Sequence, residues 1–440
     1  MKNTAISTYS ANSHQFQLFD QLRVFISIKK NPFHLEVEEL FQMAARMNKK
    51  RAFLFVSNIL GKHLAVSPEI PLLMSKLLVY QLATLNDWID EGNAVGHKIV
   101  QAFRSSNRHH MQSILEDGKK VHLPNGGLII GFAETATALG HGVFDAFSNA
   151  NFIHTTRETI PGLTPTITFQ EEHSHAVDQI CYGDEKLFQR KDQPIILVDD
   201  EMTSGKTTLN IIRSLQERFP RKQYIVLSIL DWRTQENLYS FQELEKELGI
   251  VIQCVSLITG EFSYQGSSLE DFNELIETKE QAIPYKEIDI TSHFTRYQPP
   301  FIQETGRFGL DEKNHLSIKT AAEQIKPYRS NGNALCLGTG EFMYIPMKIA
   351  TLLGDHIYYH STTRSPIYAE RRDDYSIKER FTFQNPEDPN VIHHVYNIPQ
   401  NFYEEAFLFF ERRTEQESLQ QLLSYLNNKG IHHIHVVYVS

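Results

Sequence analysis

The sequence predicts an α/β fold built on parallel sheets with flanking helices, and three observations carry the prediction. Short apolar runs alternate with segments of helical periodicity: GGLIIGFAET, TATALGHGVFDAF, NFIHTT, PIILVDD, then Thr207–Arg218. Such alternation implies strands joined by crossover helices. The run Ile195-Ile-Leu-Val198 is apolar without a break, as in a strand covered on both faces. From about residue 311 a second series of the same kind begins, so a second, smaller α/β unit follows the first.

Taken in order, residues 1–20 are polar and read as a tail or a first edge strand. Glu36–Met47 has helical spacing, and Arg51–Ser57 (RAFLFVS) reads as a strand. Helices are expected over Pro68–Leu85 and Lys98–Leu115. After PIILVDD and its helix come the strand QYIVLSIL, a helix over Asn237–Leu248 and the strand VIQCVSLI. Residues 259–310 break this rhythm with Gly260, Gly266, the acidic stretch SLEDFNELIETKE and Pro299–Pro300. They read as a linker with one helix. The second series comprises ALCLG, the helix PMKIATLLG, HIYYHSTT, VIHHVYN, a long helix and IHHIHVVYV. The expected boundaries are 20–257, 258–310 and 311–440. An internal repeat joins the series: Gly131-Phe-Ala-Glu134 and Thr155-Thr-Arg157 in the first, Gly338-Thr-Gly-Glu341 and Thr362-Thr-Arg364 in the second. Glu and Arg stand 23 positions apart in both.

At 440 residues, two or three domains are expected, and 41% hydrophobic against 22% charged residues is an ordinary globular balance. No apolar run approaches the roughly 20 residues of a membrane span, and the first residues lack a secretory layout. Cys181, Cys254 and Cys336 are dispersed and form no CxxC pair. A reducing cytoplasm is the expected location. A formal charge of −10 argues against general nucleic-acid binding but leaves room for a local basic pocket.

The strongest chemical signal is Ile195-Ile-Leu-Val-Asp199-Asp200-Glu-Met-Thr203-Ser204-Gly205-Lys206-Thr207. Two carboxylates stand at the tip of a buried strand, and a Thr/Ser/Gly turn opens a helix. Backbone N–H groups there, with the hydroxyls of Thr203, Ser204 and Thr207, form an anion cup. Carboxylates beside such a cup repel a phosphate, so they suit sugar hydroxyls or a hydrated cation next to it. A nucleotide-hydrolase loop needs Gly where Asp200 stands. A receiver domain would carry the acidic strand end at its start, without the Thr-Ser-Gly turn.

The motif resembles the phosphoribosyl-pyrophosphate signature of type I phosphoribosyltransferases. The resemblance implies that Asp199 and Asp200 hold the ribose hydroxyls, directly or with Mg2+ between, and that Thr203, Ser204, Gly205, Lys206 and Thr207 hold the 5′-phosphate. GFAETA (Gly131–Ala136) sits where the family contacts pyrophosphate, implying Ala133, Glu134 and Thr135. FLFVSNILGKHLAVSP resembles the early hairpin of orotate phosphoribosyltransferases, with Lys62 and His63 as candidates beside the base and pyrophosphate. Arg157 is expected to neutralise the leaving pyrophosphate, at the start of a mobile loop running to Tyr182. The loop's HSH cluster with Glu171 and Glu172 reads as a solvated or base-contacting segment rather than a metal site.

Thr363-Arg364-Ser365-Pro366 resembles the name motif of the TRSP domain, found behind orotate-phosphoribosyltransferase-like domains in bacterial tellurite-resistance and stress gene clusters. That unit reads as a degenerate repeat of the first: where an acidic pair is expected, VIHHVYN ends at Asn397. Gly338, Gly340, Glu341 and Arg364 form its candidate second ligand site. The implied partners are phosphoribosyl pyrophosphate and a base-like small molecule. The implied assembly is a homodimer or a pseudo-dimer within one chain. The alternative to a transferase is a nucleotide-binding regulatory module on the same fold.

Overall fold

The computed structural model describes residues 13–19, 22–46, 52–117, 119–169, 179–266, 282–298, 300–312 and 317–440. The first part comprises β1 (Ser13–Leu18), β2 (Leu22–Lys30), α1 (Val37–Leu40), β3 (Phe41–Ala45) and β4 (Phe53–Ser57). Helices α2 (Glu69–Leu85), α3 (Gly92–Ser105) and α4 (Arg108–Asp117) follow. Then come β5 (Val121–Gly131), α5 (Ala136–Ala146), β6 (Phe147–His154), the hairpin β7 (Ile167–Phe169) and β8 (Gln179–Cys181), and α6 (Glu185–Phe188). Next are β9 (Ile195–Met202), α7 (Lys206–Arg218), β10 (Gln223–Asp231), α8 (Gln235–Leu248) and β11 (Val251–Gly266).

The second part comprises β12 (Lys286–Asp289), β13 (Arg296–Gln298), β14 (Phe301–Ile302), α9 (Ser317–Ile325), β15 (Ala334–Gly338), α10 (Tyr344–Ala350) and β16 (Ile357–Ser361). It ends with the hairpin β17 (Arg380–Asn385) and β18 (Asp388–Tyr396), then β19 (Glu405–Phe410), α11 (Gln416–Asn428) and β20 (His433–Tyr438).

Seven strands form one sheet in the order β1-β2-β11-β10-β9-β5-β6. Strands β6, β5, β9, β10 and β11 are parallel, and β2 and β1 add antiparallel at the edge. Ile195 to Val198 are fully buried, as their unbroken apolar run requires. The chain leaves β5 toward β6 on one side and later returns to β9 on the other. The topological switch therefore lies between β5 and β9, and ligands in open α/β sheets bind outside the carboxyl ends at that point. A second, wholly parallel sheet runs β12-β20-β19-β15-β16. Its β16-β15-β19-β20 repeats the order β6-β5-β9-β10, and the hairpin β17–β18 stands where β7–β8 stands in the first part.

Several sequence expectations are corrected. In place of the helix expected over Glu36–Met47, Val37–Leu40 is a single helical turn opened by a Glu36–Glu39 capping box, after which Phe41–Ala45 pairs antiparallel with Phe53–Ser57. A partner strand that buries Phe41, Met43 and Ala44 overrides the local period. Lys98–Leu115 is broken at Ser106, which takes the left-handed conformation (φ 50°). β11 runs on to Gly266 because, past a bulge at Thr259/Gly260, it pairs with β2. Within 258–310, β12 is an edge strand of the second sheet, while the acidic helix candidate falls outside the described residues. VIHHVYN belongs to the hairpin arm β18, not to the counterpart of the acidic strand. That counterpart is β19, EAFLFF, wholly buried between charged flanks.

The halves touch along matched features. Val66 bridges Tyr359 of β16, and Leu310 bridges Phe152 of β6. Gly61 and Gly306 both have positive φ, and a Cβ on either would stand 2.5 Å from the ring of Tyr359 or Phe152, respectively. Helices α5 and α10 meet with the His141 and Tyr344 rings stacked, centroids 3.6 Å apart.

Candidate active site

The carboxyl ends of β5 and β9 build the site. Asp199 and Asp200, both half-buried, stand at the end of β9, and Asp200 N donates to Asp199 Oδ1 at 3.0 Å. Gly205 then takes φ 76° as the N-cap residue before α7 and brings no side chain of its own to the helix start. Its Cβ-free side faces the Phe241 ring and Arg233 Cδ, so only glycine fits both the conformation and the space. Lys206 N is 3.2 Å from Ser204 Oγ. The helix start thus presents N–H groups and hydroxyls directly after two carboxylates, which is the arrangement expected of an anion cup beside a sugar-binding pair.

Sequence reasoning missed the pair that backs this turn. Arg233 grips Asp231 through Nε at 2.9 Å and NH2 at 2.7 Å, with both side chains buried, and its guanidinium lies 4.2 Å from the Phe241 ring centroid. The signal was DWR at the end of β10, beside the acidic strand in the sheet.

The Gly131–Ala136 loop is fixed from behind. Ala133 N donates to Thr155 Oγ1 at 2.8 Å, Gln179 Nε2 donates to Ala133 O at 2.7 Å, and Phe132 N donates to Val198 O at 3.0 Å. The Ala133–Glu134 peptide is cis. Glu134 is buried, and Lys62 Nζ donates to its Oε1. Burial, the largest single influence, would raise the Glu134 carboxyl, but Lys62, His393 and Arg157 together outweigh it and hold the carboxyl well below the carboxylate range. Lys62 is 1% exposed and also donates to Gly340 O at 2.9 Å and Thr362 O at 3.2 Å. An ammonium has three donors, and all three are spent here. His63 is buried beside Lys62, and burial pushes its pKa down to about 3.

The second half repeats this framework. Gly340 N donates to Thr362 Oγ1 at 3.1 Å, as Ala133 N does to Thr155. Thr339 Oγ1 donates to Phe409 O at 2.9 Å. The Tyr396 hydroxyl accepts from Ile367 N as the Tyr182 hydroxyl accepts from Ile160 N, both at 2.9 Å. The halves also exchange glutamates. Glu341 Oε1 accepts from Arg157 N at 2.9 Å, and Glu134 Oε2 accepts from Arg364 N at 3.4 Å. The candidate residues Arg157, Glu134, Lys62, Gly340, Glu341 and Arg364 therefore meet in one seam between the halves. Asp199, Asp200 and Thr203–Thr207 form the tip of β9.

At the second tip the acidic pair is replaced. Register through β15 aligns Phe410 and Glu411 with Asp199 and Asp200. Glu411 is buried and accepts from Arg307 NH1 at 2.7 Å, while Arg412 pairs with Glu158 and takes Glu387 Oε1 on its backbone N at 2.7 Å. Arg307 follows Gly306 as Lys62 follows Gly61, a second signal in the sequence that went unread. The tip of the second sheet is thus filled by the protein's own ion pairs. Residues 170–178, with the HSH cluster, lie outside the described residues.

Comparison with known proteins agrees with this reading of the fold. Residues 40–261 match the family described as phosphoribosyl transferase, and residues 304–426 match the TRSP domain that lies C-terminal to it. A search of curated proteins finds no match. Among solved structures, the chain is similar to adenine phosphoribosyl transferase from Trypanosoma brucei in complex with AMP, pyrophosphate and ribose-5-phosphate. The identity is 14%, covering 53% of this chain and 82% of that one, at a TM-score of 0.30. It is also similar to the Giardia lamblia enzyme complexed with 9-deazaadenine (14% identity, 35% and 78% coverage, TM-score 0.23). A third is adenine phosphoribosyltransferase from Rhodothermus marinus (12% identity, 38% and 83% coverage, TM-score 0.21). With half of its length matched to that family and residues 304–426 to its C-terminal companion, the chain belongs to the phosphoribosyl transferase family and carries a TRSP domain.

Proposed function

We propose that the chain transfers a phosphoribosyl group from phosphoribosyl pyrophosphate to a nitrogen of a base-like acceptor and releases pyrophosphate. The observation that carries this is the β9 tip: two half-buried carboxylates followed by a Ser/Gly turn into the start of α7, at the topological switch of a parallel sheet. Asp199 and Asp200 would accept hydrogen bonds from the ribose 2′ and 3′ hydroxyls. Thr203–Thr207 would hold the 5′-phosphate. Fixing both ends of the sugar leaves C1′ placed for attack, an orientation effect.

The Ala133 N–H is spent on Thr155, so the leaving pyrophosphate is assigned to the backbone N–H groups of Glu134 and Thr135 and to Arg157, not to Ala133. The Glu134 carboxylate and Lys62 ammonium are committed to each other and to the second half. Their proposed role is therefore to hold that loop in shape rather than to touch the pyrophosphate.

The oxygen donors Asp199 and Asp200 suit Mg2+, a hard cation. Among the described residues no group of three His, Cys, Asp or Glu side chains is placed to cage a metal. That fits an ion held chiefly by substrate oxygens, with these two carboxylates as its protein ligands. Bound so, Mg2+ would neutralise charge on the donor.

The second half is proposed to act as the subunit that completes the first, a pseudo-dimer within one chain, because Glu341 fixes Arg157 and Arg364 fixes Glu134. Its own tip, filled by Glu411, Arg307 and Arg412, is assigned a structural role. The division between units is proposed to fall after Gly266 and before Lys286, supported by β11 and β12 belonging to different sheets. Among the described residues no helix is long and apolar enough to cross a membrane. A cytoplasmic location is proposed from the three free cysteines, and a tie to tellurite resistance or stress from the TRSP resemblance alone. The test is pyrophosphate release on incubation with phosphoribosyl pyrophosphate, Mg2+ and a panel of bases. Binding of the donor without release against any base would instead support the regulatory-module reading.

A further inference from the structure

At the far end of α5 from the Ala133–Thr135 loop lies a cavity of about 230 Å³ between the halves. Lys76, Lys119, Lys120 and Lys348 line it, with Asp145 and the apolar wall of Leu72. Four lysines and one carboxylate therefore line one cavity, in a chain whose net charge is −10. Asp145 is already shared. It accepts from Lys348 Nζ at 2.6 Å and from the Tyr344 hydroxyl at 2.9 Å, and it lies 3.7 Å from Lys120 Nζ. Lys76 is 6% exposed and donates to the carbonyls of Ile114 and Leu115 at the end of α4. Burial, with Lys348 nearby, lowers the Lys76 pKa to about 8, against the pull of Asp145 and Asp117. Assembling like charges is unfavourable unless a counter-charge joins them.

We propose that this cavity binds a compact phosphate-bearing anion through Lys76, Lys119, Lys120 and Lys348. Lysine ammonium groups suit phosphate oxygens as point charges. The volume falls below the roughly 300 Å³ at which pockets for larger organic ligands begin, so the anion is of polyphosphate size. Lys76 comes from α2, Asp145 from α5 and Lys348 from α10. A bound anion therefore grips both halves. Helix α5, 11 residues long, spans about 16 Å between this cavity and the loop of the transfer site. The two anion sites are thus separate. Free pyrophosphate and the phosphate tail of a nucleotide share this chemistry.

The test uses the full chain, with inorganic pyrophosphate and ATP as separate probes and no divalent cation. Binding is followed by calorimetry and by hydrogen exchange resolved along the chain. The expected result is slowed exchange in the peptides covering 114–120 and 344–350, with affinity at least tenfold weaker in Lys119→Gln/Lys348→Gln. The variant's unfolding midpoint should match wild type within a few degrees. If that variant misfolds, Lys119→Gln/Lys120→Gln, on exposed lysines, serves instead. Whichever probe binds more tightly names the source. Protection confined to residues 199–208 would overturn the proposal while leaving the transfer site intact. So would no protection at all, or equal affinity in both proteins.

Discussion

Lys62→Met is the most informative single perturbation of the seam. The Lys62 and Glu134 side chains are 1% and 8% exposed. Methionine keeps the length of the stem and removes the ammonium. Three hydrogen bonds go with it: one to Glu134, one to Gly340 O and one to Thr362 O. Glu134 is then left as a buried carboxylate without its cation. Breaking a buried pair in this way costs about 3–5 kcal/mol. At roughly 2 °C or more per kcal/mol for a unit of this size, the thermal midpoint should fall by at least about 6 °C. Glu134→Gln should also destabilise, because it strands the ammonium. The double variant Lys62→Met/Glu134→Gln should recover part of the loss, with a coupling of about 2 kcal/mol between the sites. Calorimetric unfolding of the four proteins measures all of this. A Lys62→Met variant within 1 kcal/mol of wild type, or strictly additive losses, would refute the claim that this pair holds the halves together.

Three further outcomes are expected. Gly205→Val places a Cβ against Phe241 at a positive φ; it should cost about 1–3 kcal/mol by overpacking and weaken donor binding at least tenfold, and unchanged binding would disconnect this turn from the site. Burial lowers the pKa of His63, His360 and His393 to about 3 and of His154 and His394 to about 4. The unfolded chain therefore binds more protons than the folded one between about pH 3 and 6.5, so stability is full above that window and is lost as pH falls through it. Glu387, raised to about 7 by burial, opposes this, losing its contribution as pH rises toward 7. His435 is likewise lowered to about 4 and Glu304 likewise raised by burial; with six histidines against two glutamates, the unfolding midpoint should climb from pH 4 to pH 6, and a flat profile would contradict the buried cluster. Finally, burial pushes the Cys181 and Cys336 thiols up to about 12 and Cys254 to about 11. A thiol reagent at pH 8 should react slowly with Cys181 and Cys336 of the native chain and with three thiols once it is denatured; fast native labelling of either buried cysteine would show that it is not enclosed.

What the sequence disclosed follows from which forces act locally. PIILVDDEMTSGKT declared both a buried strand and the turn behind its two carboxylates because the strand is apolar on both faces and the turn needs its glycine. The Glu134–Arg157 and Glu341–Arg364 spacing declared the repeat because each pair spans the same strand–helix–strand unit. β19 was hidden: a short apolar run between glutamates cannot be told from a buried helix by periodicity. The hairpin arm VIHHVYN was mistaken for it because a strand's partners are not written in its own residues. Lys62 was readable as a cation near the loop, but its burial was not, since that depends on Gly340 and Thr362 arriving from the other half. The Gly306–Arg307 step was legible as a repeat of Gly61–Lys62, but its pairing with Glu411 was not, because it joins residues more than a hundred positions apart.

The central claim rests on the β9 tip, and calorimetric binding of phosphoribosyl pyrophosphate with Mg2+ tests it most directly. Wild type should bind, and Asp199→Asn/Asp200→Asn, folded to the same midpoint, should lose at least tenfold in affinity. No binding by folded wild type, or equal binding by the double variant, would contradict the assignment of these carboxylates to the donor.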